Sequence, residues 1–366
     1  MTDRYSEAPR TGPLSRKEME RMGRISQAGD LPGGSTDGNG PRPIERNLGL
    51  DLVRVTETAA MAAARWQGRG DKDAADKAAV DGMRLHLSTL EIDGIVVIGE
   101  GEKDNAPMLF NGERVGTGTG MQVDVAVDPV DGTRLTASGM PGAISVIALA
   151  EGHGTMYAPG SLVYMDKIAV GPEAAGTIDI EAPVADNLAK VAKARGHKVA
   201  DLRVVILDRP RNQHYIDAVR AAGARIKLIG DGDLSAGISA AVRRTNVHAV
   251  MGIGGAPEGV LAAAALRCLN GHMQGRLMPA RDDQDAERFR KMGITDLSRI
   301  YTEADLAPGP DLLFAATGVT DGFLTGVRFF GHGYRTYSLI MHSTENLIRF
   351  IDTVRLNGDP KAVVEF

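Results

Sequence analysis

From Leu202 onward the chain alternates short apolar runs with amphipathic ones, and this rhythm restricts the fold more than any other feature. Leu202–Leu207, Ile226–Ile229 and Val247–Ile253 read as strands, each followed by a helical stretch: Gln213–Ala222, Leu234–Val242 and Pro257–Cys268. Strands joined through helices can pair in parallel or in a mixed sheet, which makes the class α/β (α+β). Earlier segments have other periods. Leu48, Leu52, Val55, Ala59, Ala62 and Trp66 recur at three and four, the spacing of a helix, which Gly68-Arg69-Gly70 ends. A second helix over Asp71–Leu90 carries Ala75, Ala79, Met83 and Leu87 on one face. Gly94–Ile98, Val123–Asp128 and Ala143–Ala150 read as strands, as does Leu312–Thr317. Residues 324–341 suggest a hairpin, and Asn346–Val354 reads as a closing helix.

A chain of 366 residues suggests two domains, at about 150 residues each. The expected division is 47–185 with 312–366 in one domain and 186–311 in the other. Residues 1–46 read as a mostly disordered tail, because Gly33-Gly34-Ser35-Thr36-Asp37-Gly38-Asn39-Gly40-Pro41 offers little apolar surface to offset ordering entropy. The net charge of −5 argues against a nucleic-acid partner. A single cysteine, Cys268, excludes disulfide frameworks and multi-cysteine zinc sites, and its apolar neighbours place it in a core. No apolar run is long enough for a membrane span, and Arg4, Arg10 and Arg16 are followed by Lys17, Glu18 and Arg21 rather than a leader's apolar region. The expected location is cytoplasmic.

Acidic residues gather where predicted strands end. Gly99-Glu100-Gly101-Glu102-Lys103-Asp104 follows the first strand and is either a solvated acidic turn or part of a site. Asp128-Pro129-Val130-Asp131-Gly132-Thr133 follows another. There Pro129 and Gly132 let two carboxylates face one point, and such a pair needs a cation or raised pKa values. An all-oxygen set suits Mg²⁺ or Mn²⁺. Gly254-Gly255-Ala256-Pro257-Glu258 opens a helix, where free N–H groups attract anions and Glu258 is either a ligand or an ordinary N-terminal acid. Arg209-Pro210-Arg211 suits a phosphate, or is a pair of surface arginines. Asp231-Gly232-Asp233 could bind sugar hydroxyls, with Asp233 capping the next helix. Asp76 lies in a run of alternating charges, Asp71, Lys72, Asp73, Asp76 and Lys77, which by itself reads as a solvated helix face.

Taken in order, these motifs resemble the lithium-sensitive sugar phosphatases, and in particular the class II (bacterial) fructose-1,6-bisphosphatases. Gly68-Arg69-Gly70-Asp71-Lys72, Gly99-Glu100-Gly101-Glu102 with Ala106-Pro107-Met108, Asp231-Gly232-Asp233 and Gly254–Gly259 carry the closer likeness, which covers about 47–366. The resemblance implies a two-domain layered fold with mixed sheets sandwiched by helices. It implies metal ligands at Asp76, Glu100, Asp128, Asp131 and Glu258, replacing the solvated reading of Asp76. Some relatives carry Glu at the position of Asp131. Substrate contacts are implied at Asp131, Gly132, Thr133, Tyr164, Arg209, Pro210, Arg211, Asp231, Gly232, Asp233 and Gly255. Catalytic roles fall on Thr133, Asp104, Glu100 and Lys72.

The implied reaction is metal-dependent hydrolysis of the 1-phosphate of fructose 1,6-bisphosphate, a gluconeogenic step, by a homo-oligomer (dimer or tetramer) using Mg²⁺ or Mn²⁺. The partner is a small sugar bisphosphate, with neither nucleic acid nor membrane. Sedoheptulose 1,7-bisphosphate is the alternative or additional substrate. An inositol monophosphatase would not need basic residues at a distal phosphate, and a non-catalytic sensor would be expected to lack part of the carboxylate and Thr133 constellation.

Overall fold

The computed structural model describes residues 48–101, 108–159, 163–279 and 296–356, with Phe289 and Ile294. The expected tail over 1–46 lies outside the described residues. Strand β3 (Met121–Asp131) shows how the layers are set. Val123, Val125 and Val127 join one apolar cluster, while Ala126 joins another on the opposite face, as the two-residue period of a strand requires. Strand β4 (Ile144–Glu151) repeats the pattern, with Ile147 and Leu149 on one side and Val146 and Ala148 on the other. In β11 (Leu312–Gly318), Leu313 and Ala315 oppose Phe314 and Ala316. A sheet buried on both faces makes its central strands almost continuously apolar.

Among the described residues the first sheet has eight strands. Its order is β12 (Arg328–Phe330), β13 (Gly333–His342), β11, β4, β3, β1 (Ile92–Ile98) and β2 (Arg114–Val115), with β14 (Leu347–Leu356) also paired to β13. Of these pairings, β1 with β3 is parallel and the others are antiparallel. Helices α1 (Leu48–Ala64) and α2 (Lys72–Leu87) cover one face through Leu52, Val55, Ala59 and Ala63 and through Ala79, Met83 and Leu87. They approach closely at Gly82, where an added Cβ would lie 3.1 Å from the Thr58 carbonyl oxygen. Asp71 caps α2, accepting the Ala74 N–H at 2.9 Å.

The second sheet runs β10 (Ile300–Thr302), β9 (His272–Pro279), β5 (Val163–Val170), β8 (Ala249–Gly255), β6 (Arg203–Leu207) and β7 (Arg225–Ile229). It too is mixed: β6 is parallel to β7 and β8, whereas β5 is antiparallel to β8 and β9. Its outer face meets α4 (Val184–Arg195) and α5 (Gln213–Ala221), with Leu188, Val191, Ile216 and Val219 against Val204, Ile206 and Met251. Between the sheets lie α6 (Asp233–Ala241) and α7 (Ala256–Cys268). Val260, Leu261 and Leu266 of α7 share a cluster with Val146 and Phe314 of the first sheet and with Met165 and Val205 of the second. A helix enclosed in this way is apolar all round; small alanines let both sheets approach it. Two short helices, α3 (Thr133–Ser138) and α8 (Glu303–Leu306), complete the described set. The mixed α/β layering expected from the sequence is the one observed. Cys268 is buried, as expected. No helix among the described residues is long and apolar enough to cross a membrane.

The closing helix expected over Asn346–Val354 is instead β14, paired along its length with β13. Ile348, Ile351, Thr353 and Val354 are β-branched and favour a strand. Asn346 adopts φ 48°, turning the chain back on itself. Arg335 and Asp352 then pair across the ladder, the Nε to Oδ1 distance being 2.7 Å. The expected hairpin exists as β12 and β13. Phe314 is fully buried between layers. Phe314→Ala should therefore lower the unfolding free energy by about 3–5 kcal/mol, read as a reduced urea midpoint at unchanged slope.

Candidate active site

Carboxylates from two strand ends and two helices converge. At the end of β1, Gly99 permits a tight return: a Cβ there would sit 1.9 Å from the Leu109 carbonyl oxygen. The Glu100 N–H donates to that same oxygen at 2.9 Å. Glu100 shares a hydrogen bond with Asp76 of α2, so Asp76 faces the site rather than open solvent. Burial, reinforced by the Asp76 charge, pushes Glu100 up to about 8; burial also raises Asp76.

At the end of β3, the Val130 N–H donates to Asp128 Oδ1 at 3.0 Å across Pro129. The register with β4 shifts between Asp128 and Asp131, a local bulge that re-aims side chains. Asp131 is buried, and its Oδ2 accepts the Ser235 N–H of α6 at 3.4 Å. Asp128 is held well above the usual carboxylate range by burial, then by the charges of Asp131, Glu258, Glu100 and Asp76. Asp131 is raised by burial and by Asp233, Glu258 and Asp231. Gly132, at φ 96°, turns the chain into α3, whose first residue is the half-buried Thr133.

The second sheet contributes the other wall. Glu258, in the first turn of α7, is raised chiefly by burial, and its Oε2 is buried with no hydrogen-bond partner among the described residues. Its carboxylate lies over Gly255, where a Cβ would be 1.9 Å from Oε2. Gly254 is equally constrained, since its Cβ would stand 2.3 Å from Asp233 Oδ2. Asp233 pairs with the buried Lys167 Nζ at 2.7 Å, and that ammonium lies 3.3 Å from the Gly255 carbonyl oxygen. The helix cap expected of Asp233 is therefore absent: α6 is preceded by Gly232 at φ 73°, and Asp233 is spent on Lys167. Sequence reasoning missed Lys167 altogether. Its one signal is a charged Asp166-Lys167 pair inside an apolar run, opposite Gly252 on β8 and Gly275 on β9.

The basic side is partly fixed. Arg211 Nε donates to the Ile253 carbonyl at 3.0 Å, and its guanidinium lies 4.5 Å from the centre of the Tyr164 ring. Tyr164 is paired with Gly255 in the β5–β8 ladder. Pro210 opens the single 3-10 turn that carries Arg211. Arg209 Nη2 is 3.7 Å from Asp231 Oδ1, and Asp231 Oδ2 accepts the Arg134 N–H at 3.3 Å. Lys72 is exposed and pairs with Asp73 at 2.7 Å, with Asp76 also acting on it. Asp104 lies outside the described residues.

Among the described residues no three acidic, histidine or cysteine side chains form a ready ion shell, and Asp76 is bonded to Glu100. The donor chemistry nevertheless fits a hard divalent ion. Every candidate ligand is a carboxylate, all five are raised in pKa, and Glu258 Oε2 is an unsatisfied buried acceptor. Cation binding would displace the protons that these groups retain.

Fold and acidic cluster together define a class: layered α/β proteins whose carboxylates gather at strand ends beside basic side chains. Within that class, the chain belongs to the family described as bacterial fructose-1,6-bisphosphatase, glpX-encoded, whose model matches residues 46–355. It is 44% identical over 344 residues to a Synechococcus elongatus protein named D-fructose 1,6-bisphosphatase class 2/sedoheptulose 1,7-bisphosphatase, covering 87% of this chain and 99% of that one. A Crocosphaera subtropica protein of the same name is 44% identical over 345 residues, again with 87% and 99% covered.

Gly255→Ala should force Glu258 aside and weaken Mg²⁺ or Mn²⁺ binding about 10–100-fold. Gly331→Ala, where a Cβ meets nothing within 4 Å, is the control and should leave binding unchanged. Calorimetric titration with each metal checks both.

Proposed function

We propose that this chain hydrolyses the 1-phosphate of fructose 1,6-bisphosphate to fructose 6-phosphate and phosphate, as a metal-dependent phosphoric monoester hydrolase. The observation that carries the reading is the convergence of five acidic side chains beside Thr133, in a chain of the bacterial fructose-1,6-bisphosphatase family. Asp76, Glu100, Asp128, Asp131 and Glu258 would hold the ions, Mg²⁺ or Mn²⁺. When bound, such ions supply charge neutralisation at the phosphate and a more acidic attacking water.

The chain's own residues do the rest. In hydrolysis a water oxygen bonds to phosphorus, the bond from phosphorus to the C1 oxygen breaks, and a proton reaches the departing alkoxide. Such transfer depends on positioning and electrostatics more than on covalent help. Thr133, at the head of α3 and oriented by Glu100 or Asp104, positions or deprotonates the water, and Lys72 assists. Tyr164, Arg209, Pro210 and Arg211 receive the distal 6-phosphate, the Arg211 guanidinium being held in place by Ile253 and Tyr164. Gly132, Asp231, Gly232, Asp233 and Gly255 border the sugar and the reacting phosphate. Lys167 keeps Asp233 oriented.

Sedoheptulose 1,7-bisphosphate is a second substrate on this reading, because the two relatives above carry both activities in their names. A non-catalytic sensor is disfavoured by the retention of all five carboxylates together with Thr133. A cytoplasmic homo-oligomer, dimer or tetramer, acting in gluconeogenesis, completes the proposal.

Phosphate release from fructose 1,6-bisphosphate should require Mg²⁺ or Mn²⁺ and stop with EDTA, whereas metal-independent release would overturn the reading. Thr133→Ala should reduce kcat about 10²–10⁴-fold with little change in KM. Arg211→Ala should raise KM for bisphosphates about tenfold or more, yet leave a 1-monophosphate unaffected.

A further inference from the structure

A second concentration of positive charge lies at the far end of β8. Gly255 closes β8 at the acidic cluster, and His248 immediately precedes its first residue. Seven residues of strand, at about 3.3 Å each, put the two ends roughly 20 Å apart. Around His248 is a cavity of 570 Å³ bordered by Glu173, Arg195, His197, Arg243, Arg244 and His248. That volume suits a small molecule.

The charges in this cavity are arranged and not merely adjacent. Glu173 holds two of the three guanidiniums: Arg243 Nε at 3.0 Å and Arg195 Nη1 at 3.5 Å. The Arg195 side chain is only 12% exposed, so its charge is largely withdrawn from water. Arg244 makes no ion pair among the described residues and is exposed. One carboxylate against three arginines leaves an excess of two positive charges. The ends of α4 and α6 nearby contribute partial negative charge, about half a unit for each helix C-terminus, which reduces that excess without cancelling it.

Two further features point to an anion. His248 Nδ1 accepts the Arg203 N–H at 2.8 Å, so the neutral ring carries its proton on Nε2 and is a hydrogen-bond donor. Burial, with Arg195 and His197 beside it, keeps that ring below the usual histidine range and therefore neutral at pH 7. The loop holding the exposed arginines is also constrained. Arg244 and Asn246 have φ of 70° and 59°, uncommon for residues with side chains. Thr245 Oγ1 ties the loop down by donating to the carbonyl of Ser239 at 2.6 Å or of Val242 at 2.9 Å. The Glu173-paired guanidiniums of Arg195 and Arg243, with the exposed Arg244 carried on this fixed backbone, offer planar donors that match the oxygens of a phosphate dianion.

We propose that this cavity is a second anion site, separate from the reacting centre, that takes a small phosphate dianion. Inorganic phosphate and a phosphate monoester present the same oxygens, and the experiment separates them.

The full-length protein with Mg²⁺ is titrated calorimetrically with inorganic phosphate, a sugar monophosphate and a nucleoside monophosphate. The double variant Arg243→Ala/Arg244→Ala is titrated in parallel. Wild type should bind phosphate in two classes of site. The double variant should lose one class, by about tenfold or more in affinity, while its KM and kcat for fructose 1,6-bisphosphate stay within about twofold. Tighter binding of either ester than of phosphate at the class lost in the variant assigns the site to organic phosphates; equal or weaker binding assigns it to the ion. A single class in wild type, or two classes persisting in the variant, overturns the proposal. Should the variant fold poorly, phenylglyoxal labelling of wild type replaces it. Phosphate should protect Arg243 and Arg244 from modification, and labelling that is unchanged by phosphate overturns the proposal equally.

Discussion

Mutual repulsion among buried and half-buried carboxylates is the interaction on which the rest of this molecule depends. Asp128 feels Asp131, Glu258, Glu100 and Asp76 at once, in surroundings that already disfavour its charge. Left alone, such a cluster destabilises the chain that contains it. The fold tolerates it by local means. Asp76 and Glu100 share a proton, Asp131 receives an N–H from α6, and Lys167 is buried against Asp233. Gly254 and Gly255 remove side chains where carboxylates lie against the backbone. The two sheets provide the rigidity, with the alanine-rich α7 packed between them and Glu258 in its first turn.

How much of this was legible depended on whether the signal was local. Asp128-Pro129-Val130-Asp131-Gly132 could be read as a strand end that turns, because proline and glycine have backbone requirements independent of the remainder of the chain. The alternation after Leu202 carries the α/β class locally, through the periods of strand and helix, while the layering is what the family resemblance implies. Asp76 could not be read from its surroundings: the charges around it have the spacing of a wet helix face, and only its meeting with Glu100, 24 residues on, turns it inward. It was the family resemblance that singled it out.

Other failures have a similar cause. Strand β5 has no clear local signature, because Asp166 and Lys167 interrupt its apolar run; their partners, Tyr215 and Asp233, come 49 and 66 residues later. The apolar residues of β14 suit a helical period as well as a strand's, and its pairing with β13 decides the matter. The capping role expected of Asp233 gave way to an ion pair that no local pattern announces. The arginines of the distal cavity carry no local signal either, since Arg195 and Arg243 become a cluster only through Glu173.

The central claim is that Asp76, Glu100, Asp128, Asp131 and Glu258 act together as a cation site. Its most direct test is anomalous diffraction from crystals of the protein grown with Mn²⁺. The account predicts manganese peaks within ligating distance of these carboxylates, with the Asp76–Glu100 hydrogen bond replaced by bonds to metal. Manganese bound elsewhere in crystals of active protein, with Asp76 still bonded to Glu100, would contradict it.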